Sequence, residues 1–154
     1  MWFGWFGFNA GSEVGVDWVT VSSFVNTQLG AAFAGFAWLV LEWVNVRRPN
    51  FIGLMTGAVA GLAAITPAAG YVSFGIASVI GFSAGLVCYH AVAIKKAVGW
   101  DDALDVWGVG GVLGTILLGV FAAKDWNPKG AAGLLSGSTR FFLWQCIAVV
   151  ASAA

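Results

Sequence analysis

The run Trp2-Phe3-Gly4-Trp5-Phe6-Gly7-Phe8-Asn9-Ala10-Gly11-Ser12 sets aromatic rings and one hydroxyl close together. Indole and phenyl faces attract cations through the ring quadrupole. A serine oxygen accepts a hydrogen bond from a cation that carries N–H groups. Together they suit a small cation that has shed part of its water. Each residue also has a plain structural reading. Ser12 can bond its own helix backbone. Trp5 and Phe8 can be interface-belt aromatics, which nine tryptophans make natural.

The remaining chemistry-bearing residues are few. His90 is the only histidine. It can relay protons, or it can be a half-wet, structurally bonded side chain near the end of its helix. Glu42 lies within two turns of Arg47 and reads as an interfacial charge near basic partners. Asp101, Asp102 and Asp105 precede an apolar run. Asp105 suits an N-cap, its carboxylate meeting unpaired N–H groups at the positive end of a helix. Three acids offer no octahedral metal set here, so capping is preferred. Cys88 and Cys146 have no histidine or acidic company, and they read as buried thiols rather than a metal site or disulfide. No nucleophile, base and orienting group stand together, so an enzyme is not expected. No metal or cofactor is expected either.

The elements that must position these residues are set by composition. The chain of 154 residues is 60% hydrophobic and 9% charged, with mean hydropathy +0.88. A soluble domain carries about 25% charged residues, so the simple solvent for this surface is lipid. Seven basic and seven acidic residues give a formal net charge of zero. No basic stripe points to nucleic acid. Met1-Trp2-Phe3-Gly4 lacks the basic segment of a signal peptide. The class expected is all-α, a polytopic membrane helical bundle.

A crossing helix needs about 20 mostly apolar residues. Runs at about 19–44, 51–72, 73–94 and 106–123 are expected to span. The stretches 1–12 and 141–154 are too short and read as incomplete helices, which suggests a piece of a larger membrane domain. Thr66-Pro67 breaks or kinks its span, as happens where backbone lines a cavity. Arg47-Arg48 and Lys95-Lys96 fall on one side, the cytoplasmic one by the positive-inside tendency. Residues 13–18 and 124–140 fall on the other. Gly53, Gly57 and Gly61 recur every fourth residue, as do Gly81 with Gly85 and Gly110 with Gly114. Such faces let helix backbones touch. Gly57 is therefore expected to tolerate leucine less well than Ala34.

Several motifs, in one order, resemble the Amt/Mep/Rh ammonium transporters. Phe3 to Ser12 is similar to the family's sixth helix, W-F-G-F-N-A-G-S. Phe24-Val25-Asn26-Thr27 resembles the opening of the seventh and Glu42-Trp43 its end. Gly57-Ala58-Val59-Ala60-Gly61-Leu62 with Ile65-Thr66-Pro67-Ala68-Ala69-Gly70-Tyr71 resembles the eighth. Residues 73–96 fit the ninth, and Asp101-Asp102-Ala103-Leu104-Asp105-Val106-Trp107-Gly108-Val109 the start of the tenth. The resemblance implies eleven helices in two inverted halves plus a final helix, of which this chain matches the second half and the start of the last helix. It implies ammonium transport in a multi-pass cell-membrane protein, assembly as a homotrimer and room for a PII-type regulator. By the same resemblance Ser12 takes the outer ammonium-binding position and Phe8 one of two stacked gate phenylalanines. Trp5 and Thr66 border the pore, and Asp105 is structural.

One departure matters. The family reads D-V-F-G-V-H-G-V-G-G in the tenth helix, and its histidine is one of a pore pair. Here Asp105-Val106-Trp107-Gly108-Val109 runs directly into Gly110-Gly111-Val112. The reading preferred is a loss of His-Gly-Val, after which Leu113-Gly114-Thr115 realigns. Three residues turn a helix by about 300°, about 60° short of a full turn, so apolar faces survive. The expected function is therefore ammonium transport by a partial or divergent member. The alternatives are a non-conducting ammonium-binding or sensing module and an inactive degenerate fragment.

Overall fold

The computed structural model describes residues 1–98 and 106–153. Six α-helices follow in order: α1 (Trp2–Gly11), α2 (Trp18–Val46), α3 (Phe51–Ile65), α4 (Phe74–Val98), α5 (Trp107–Phe121) and α6 (Thr139–Ala153). A 3-10 turn at Leu134–Ser136 lies before α6. Among the described residues there is no strand. Asp101, Asp102 and Asp105 lie outside the described residues, and with them the expected N-cap.

Local chemistry explains the helix starts. Asp17 caps α2, its Oδ1 accepting from the N–H groups of Val19 (2.9 Å) and Thr20 (3.1 Å). Asn50 caps α3 through the N–H of Ile52 (3.1 Å). Glu42, read from sequence as a charge beside basic residues, has a further task. Its Oε2 accepts from the Asn50 N–H (3.1 Å), so it fixes the α2–α3 connection. Arg47 ends α2 in the left-handed region at φ 61°, its N–H donating to the Trp43 carbonyl (3.1 Å).

Helix lengths set what each element can do in a bilayer. The 29 residues of α2 rise about 43 Å at 1.5 Å each, more than a hydrocarbon core of about 30 Å. Trp18–Val46 and Phe74–Lys95 are both long and apolar enough to cross. The third helix is shorter than the run 51–72 suggested. It ends at Ile65, and residues 66–71 continue as tight turns, with Ala68 N–H on the Ile65 carbonyl and Tyr71 N–H on that of Ala68 (both 2.9 Å). The apolar composition runs on through Ala68, Ala69 and Val72, so hydropathy does not register the stop. Pro67 has no N–H to offer an α-helical ladder. Asn26 of α2 takes over from the ladder. Fully buried, it donates through Nδ2 to the carbonyls of Ala69 (2.7 Å) and Val72 (2.9 Å).

Glycine lets α3 and α4 meet on α2. The Gly30 carbonyl lies directly under Gly61 of α3 and Gly81 of α4, where any added Cβ would collide with it. One turn along, Gly57 would meet Trp38 Cβ at 2.5 Å and the Ala34 carbonyl at 3.0 Å, while Gly85 would meet that same carbonyl at 2.5 Å. The small faces serve close packing, where dispersion replaces a hydrophobic drive. The comparison with Ala34 does not hold, however. Ala34 is completely buried and sits between Gly57 and Gly85, so it has no more room for leucine than Gly57. On the far side of α3, Ala60, Ala63 and Ala64 receive Gly110 and Gly114 of α5.

The two ends of the bundle are chemically distinct. At one end the α1–α2 connection meets the loop before α6, where Lys129 Nζ stands 3.7 Å from Glu13 Oε1. Trp18, Phe74 and Trp126 cluster in the same region, with ring centroids 4.9 to 6.2 Å apart. At the other end Asn45 Nδ2 reaches Tyr89 Oη (3.3 Å), which brings the Arg47 end of α2 beside α4.

Candidate functional site

The first helix carries the aromatic row. Gly4, Phe8 and Ser12 stand four residues apart, so they share one face, with Trp5 at its edge. Gly4, Phe8 and Ser12 are exposed, and Phe8 keeps 59% of its surface free. Trp5 is turned inward, 9% exposed, and packs with Ala31, Ala58 and Leu62. From Ser12 to Trp5 the row is about 10 Å long at 1.5 Å per residue.

What fixes the Trp5 ring is Thr66. The Trp5 Nε1–H donates to Thr66 Oγ1 (2.8 Å), and Thr66 donates in turn to the Leu62 carbonyl (2.7 Å). A buried indole N–H needs such a partner. The structure therefore joins two of the four sequence-predicted residues across 61 positions. Trp5 also meets Phe8 edge-on (6.2 Å, 87°) and stacks on Trp107 of α5 (5.2 Å, 24°). Met1, Gly4, Trp5, Phe8 and Trp107 enclose a groove of about 260 Å³. A larger groove, about 450 Å³, lies among α3, α4 and α5, lined by Phe51, Ile52, Met55, Thr56, Val59, Val92, Val106 and Trp107.

Ser12 stands apart from this cluster. Its Oγ donates to the Phe8 carbonyl (2.5 Å), the local bond open to a serine at a helix end. That bond uses the hydroxyl proton and leaves oxygen lone pairs facing out. The residue is therefore an acceptor on an exposed surface, the polarity a cation requires. His90 is exposed on α4, its ring edge-on to Tyr89 (5.6 Å, 86°). Cys88 is buried in a cluster with Trp38 and Ala60, while Cys146 is half-buried. Among the described residues no group of three metal-ligating side chains comes together.

Sequence reading missed the residues that hold the site. Asn9 Nδ2 donates to Thr27 Oγ1 (2.9 Å), which donates to the Ser23 carbonyl (2.7 Å), pinning α1 to α2. Asn26 anchors the turn that follows Thr66. Both lie within motifs quoted above. Their signal was polarity inside an apolar run, which defaults to a functional or structural role in a membrane. Trp107 entered only within the motif quoted for the start of the tenth helix, with no partner assigned.

A bundle of apolar helices, joined through glycine faces and carrying an aromatic and hydroxyl row on one open side, is the architecture of a polytopic membrane protein. The sequence profile of the Ammonium Transporter Family matches residues 1–154. The ammonium transporter of Bacillus subtilis is 42% identical over 99% of this chain, and ammonium transporter Amt1 of Archaeoglobus fulgidus is 45% identical over all of it. The chain therefore belongs to the ammonium transporter family. It spans about two-fifths of the length of these relatives, 39% in each case. The crystal structure of Saccharomyces cerevisiae Mep2 superposes on 97% of the chain with a TM-score of 0.91 at 35% identity, the chain covering 35% of that protein. A structure titled Sensor Amt Protein gives a TM-score of 0.85 at 33% identity.

Proposed function

We propose that this chain forms one half of the wall of an ammonium pathway in the cell membrane, taking up ammonium or ammonia as part of a homotrimer. The observation that carries the reading is the Trp5–Thr66 bond behind the open Phe8–Ser12 face. It holds an indole rigid beside a row that offers ring faces and an oxygen acceptor. In this reading Ser12 receives ammonium, Phe8 gates it and Trp5 with Thr66 borders the passage. Asp105 supports the tenth helix. In this reading the chain crosses at about 19–44, 51–72, 73–94 and 106–123, the second crossing being α3 with the turns that follow it, and Arg47 and Lys95 lie on the cytoplasmic side. A PII-type regulator belongs to that same side.

The test is ammonium uptake in cells lacking their own transporters. Expressed alone, the chain is expected to give none, because a site between inverted halves needs both. Co-expression with a first half taken from a relative is expected to give partial recovery. Restoring His-Gly-Val after Val109 is expected to raise it further. Robust uptake by the unmodified chain alone would overturn the reading.

A second reading is a non-conducting module that binds or senses ammonium. The missing histidine favours it, as does likeness to a protein titled a sensor. Saturable ammonium binding without flux, in the assembled pair of halves, would select it.

A further inference from the structure

The two grooves have one residue in common. Trp107 lines the smaller groove with Met1, Gly4, Trp5 and Phe8, and it lines the larger one with Thr56, Val59 and Val106. Its indole lies nearly parallel to that of Trp5, with centroids 5.2 Å apart. The two rings of this stack are held differently. Trp5 is buried and tied to Thr66, whereas Trp107 keeps 49% of its surface free and opens α5 at its first residue. An offset stack of this kind has its own attraction beyond area burial.

We infer that Trp107 is the partition between the grooves, closing the line from the Phe8 groove to the Thr56 groove by stacking on Trp5. The inference rests on reading the Trp5–Phe8–Ser12 row as one wall of the pathway. It assigns the closure to a residue that the row does not contain. An indole there does two things at once. It blocks by bulk, and it offers a π-face to a small cation that reaches it. A cation too large to slip past the ring edge stops at this level, so Trp107 also sets the size limit.

Cysteine labelling tests this on the 154-residue chain co-expressed with a first half taken from a relative, so that the pathway has both walls, in sided membrane vesicles. Gly4 has open space where a Cβ would sit, so Gly4→Cys is accommodated. The background carries Cys88→Ala and Cys146→Ser. The probe is an ammonium-bearing, membrane-impermeant methanethiosulfonate applied to one side at a time. With Trp107 intact, labelling from the Arg47 side is expected to be slow and from the Ser12 side fast. Trp107→Ala is expected to speed labelling from the Arg47 side by about tenfold or more, a barrier lower by about 1.4 kcal/mol, and to leave the other side unchanged. Trp107→Phe, the more conservative change, is expected to give a smaller rise in the same direction and serves if the alanine variant does not fold. Unchanged rates in the folded variants would overturn the inference, and so would an equal rise from both sides. No flux is measured, so a failure here leaves the transport reading intact. A failure of uptake leaves the labelling result standing.

Discussion

Gly61 offers the sharpest test of how the bundle is held. An added Cβ there would collide with the Gly30 carbonyl and lie 2.5 Å from Ala34 Cβ. Carbon atoms pack best at about 3.5–4.0 Å, so the α2 and α3 backbones would have to part by about 1 Å, forfeiting a quarter to a half of each contact along the seam. Overpacking of this sort costs about 1–3 kcal/mol. Against it stands the helix preference of alanine over glycine, about 1 kcal/mol. The matched control is Gly111 of α5, whose Cβ would meet nothing within 4 Å. Gly111→Ala should keep the helix gain without the collision. The helix gain is common to both variants, so they should differ by the overpacking cost, about 1–3 kcal/mol, with Gly61→Ala the weaker. Reversible unfolding of the purified chain in mixed micelles, followed by circular dichroism against denaturing detergent, measures the difference. Equal stabilities, or Gly111→Ala as the weaker variant, would refute the close-contact argument.

Two further outcomes follow from the geometry. Thr66→Val removes the acceptor of the Trp5 indole at constant shape, and a double-mutant cycle with Trp5→Phe should show a coupling of about 1 kcal/mol; additive losses in the same unfolding assay would argue against the bond. Arg47 holds a left-handed backbone at φ 61°, so Arg47→Gly should stabilise the chain by about 0.5–1 kcal/mol, the reduced strain outweighing glycine's entropy, and a lower melting point would contradict it.

The helices and their glycine faces were legible because both depend on local spacing. A small residue every fourth position marks a contact face whatever it touches, and Gly53, Gly57 and Gly61 carried that mark. Spacing does not name the partner, which is why Ala34 looked like a neutral comparison although it fills the same seam. The aromatic row was legible as chemistry, since Trp5, Phe8 and Ser12 fall within one short helix. The bond from Trp5 to Thr66 was not, because no local pattern joins residues 61 apart. The end of α3 was half-legible. Pro67 announced a break, but the seven residues after Ile65 remain apolar enough to pass for membrane-spanning helix. Two of their carbonyls, those of Ala69 and Val72, are satisfied by Asn26, a side chain on another element.

The bond between Trp5 and Thr66 also orders events during synthesis. At about 5–20 residues per second, Thr66 leaves the ribosome roughly 3 to 12 s after Trp5. Throughout that interval the indole N–H has no partner from α3, and a bare donor in hydrocarbon is costly. The first helix should therefore wait in the headgroup layer, where an amphipathic indole is at ease. It would settle into the bundle only after the α2–α3 hairpin has inserted, making the earliest segment of this stretch to be translated among the last to dock.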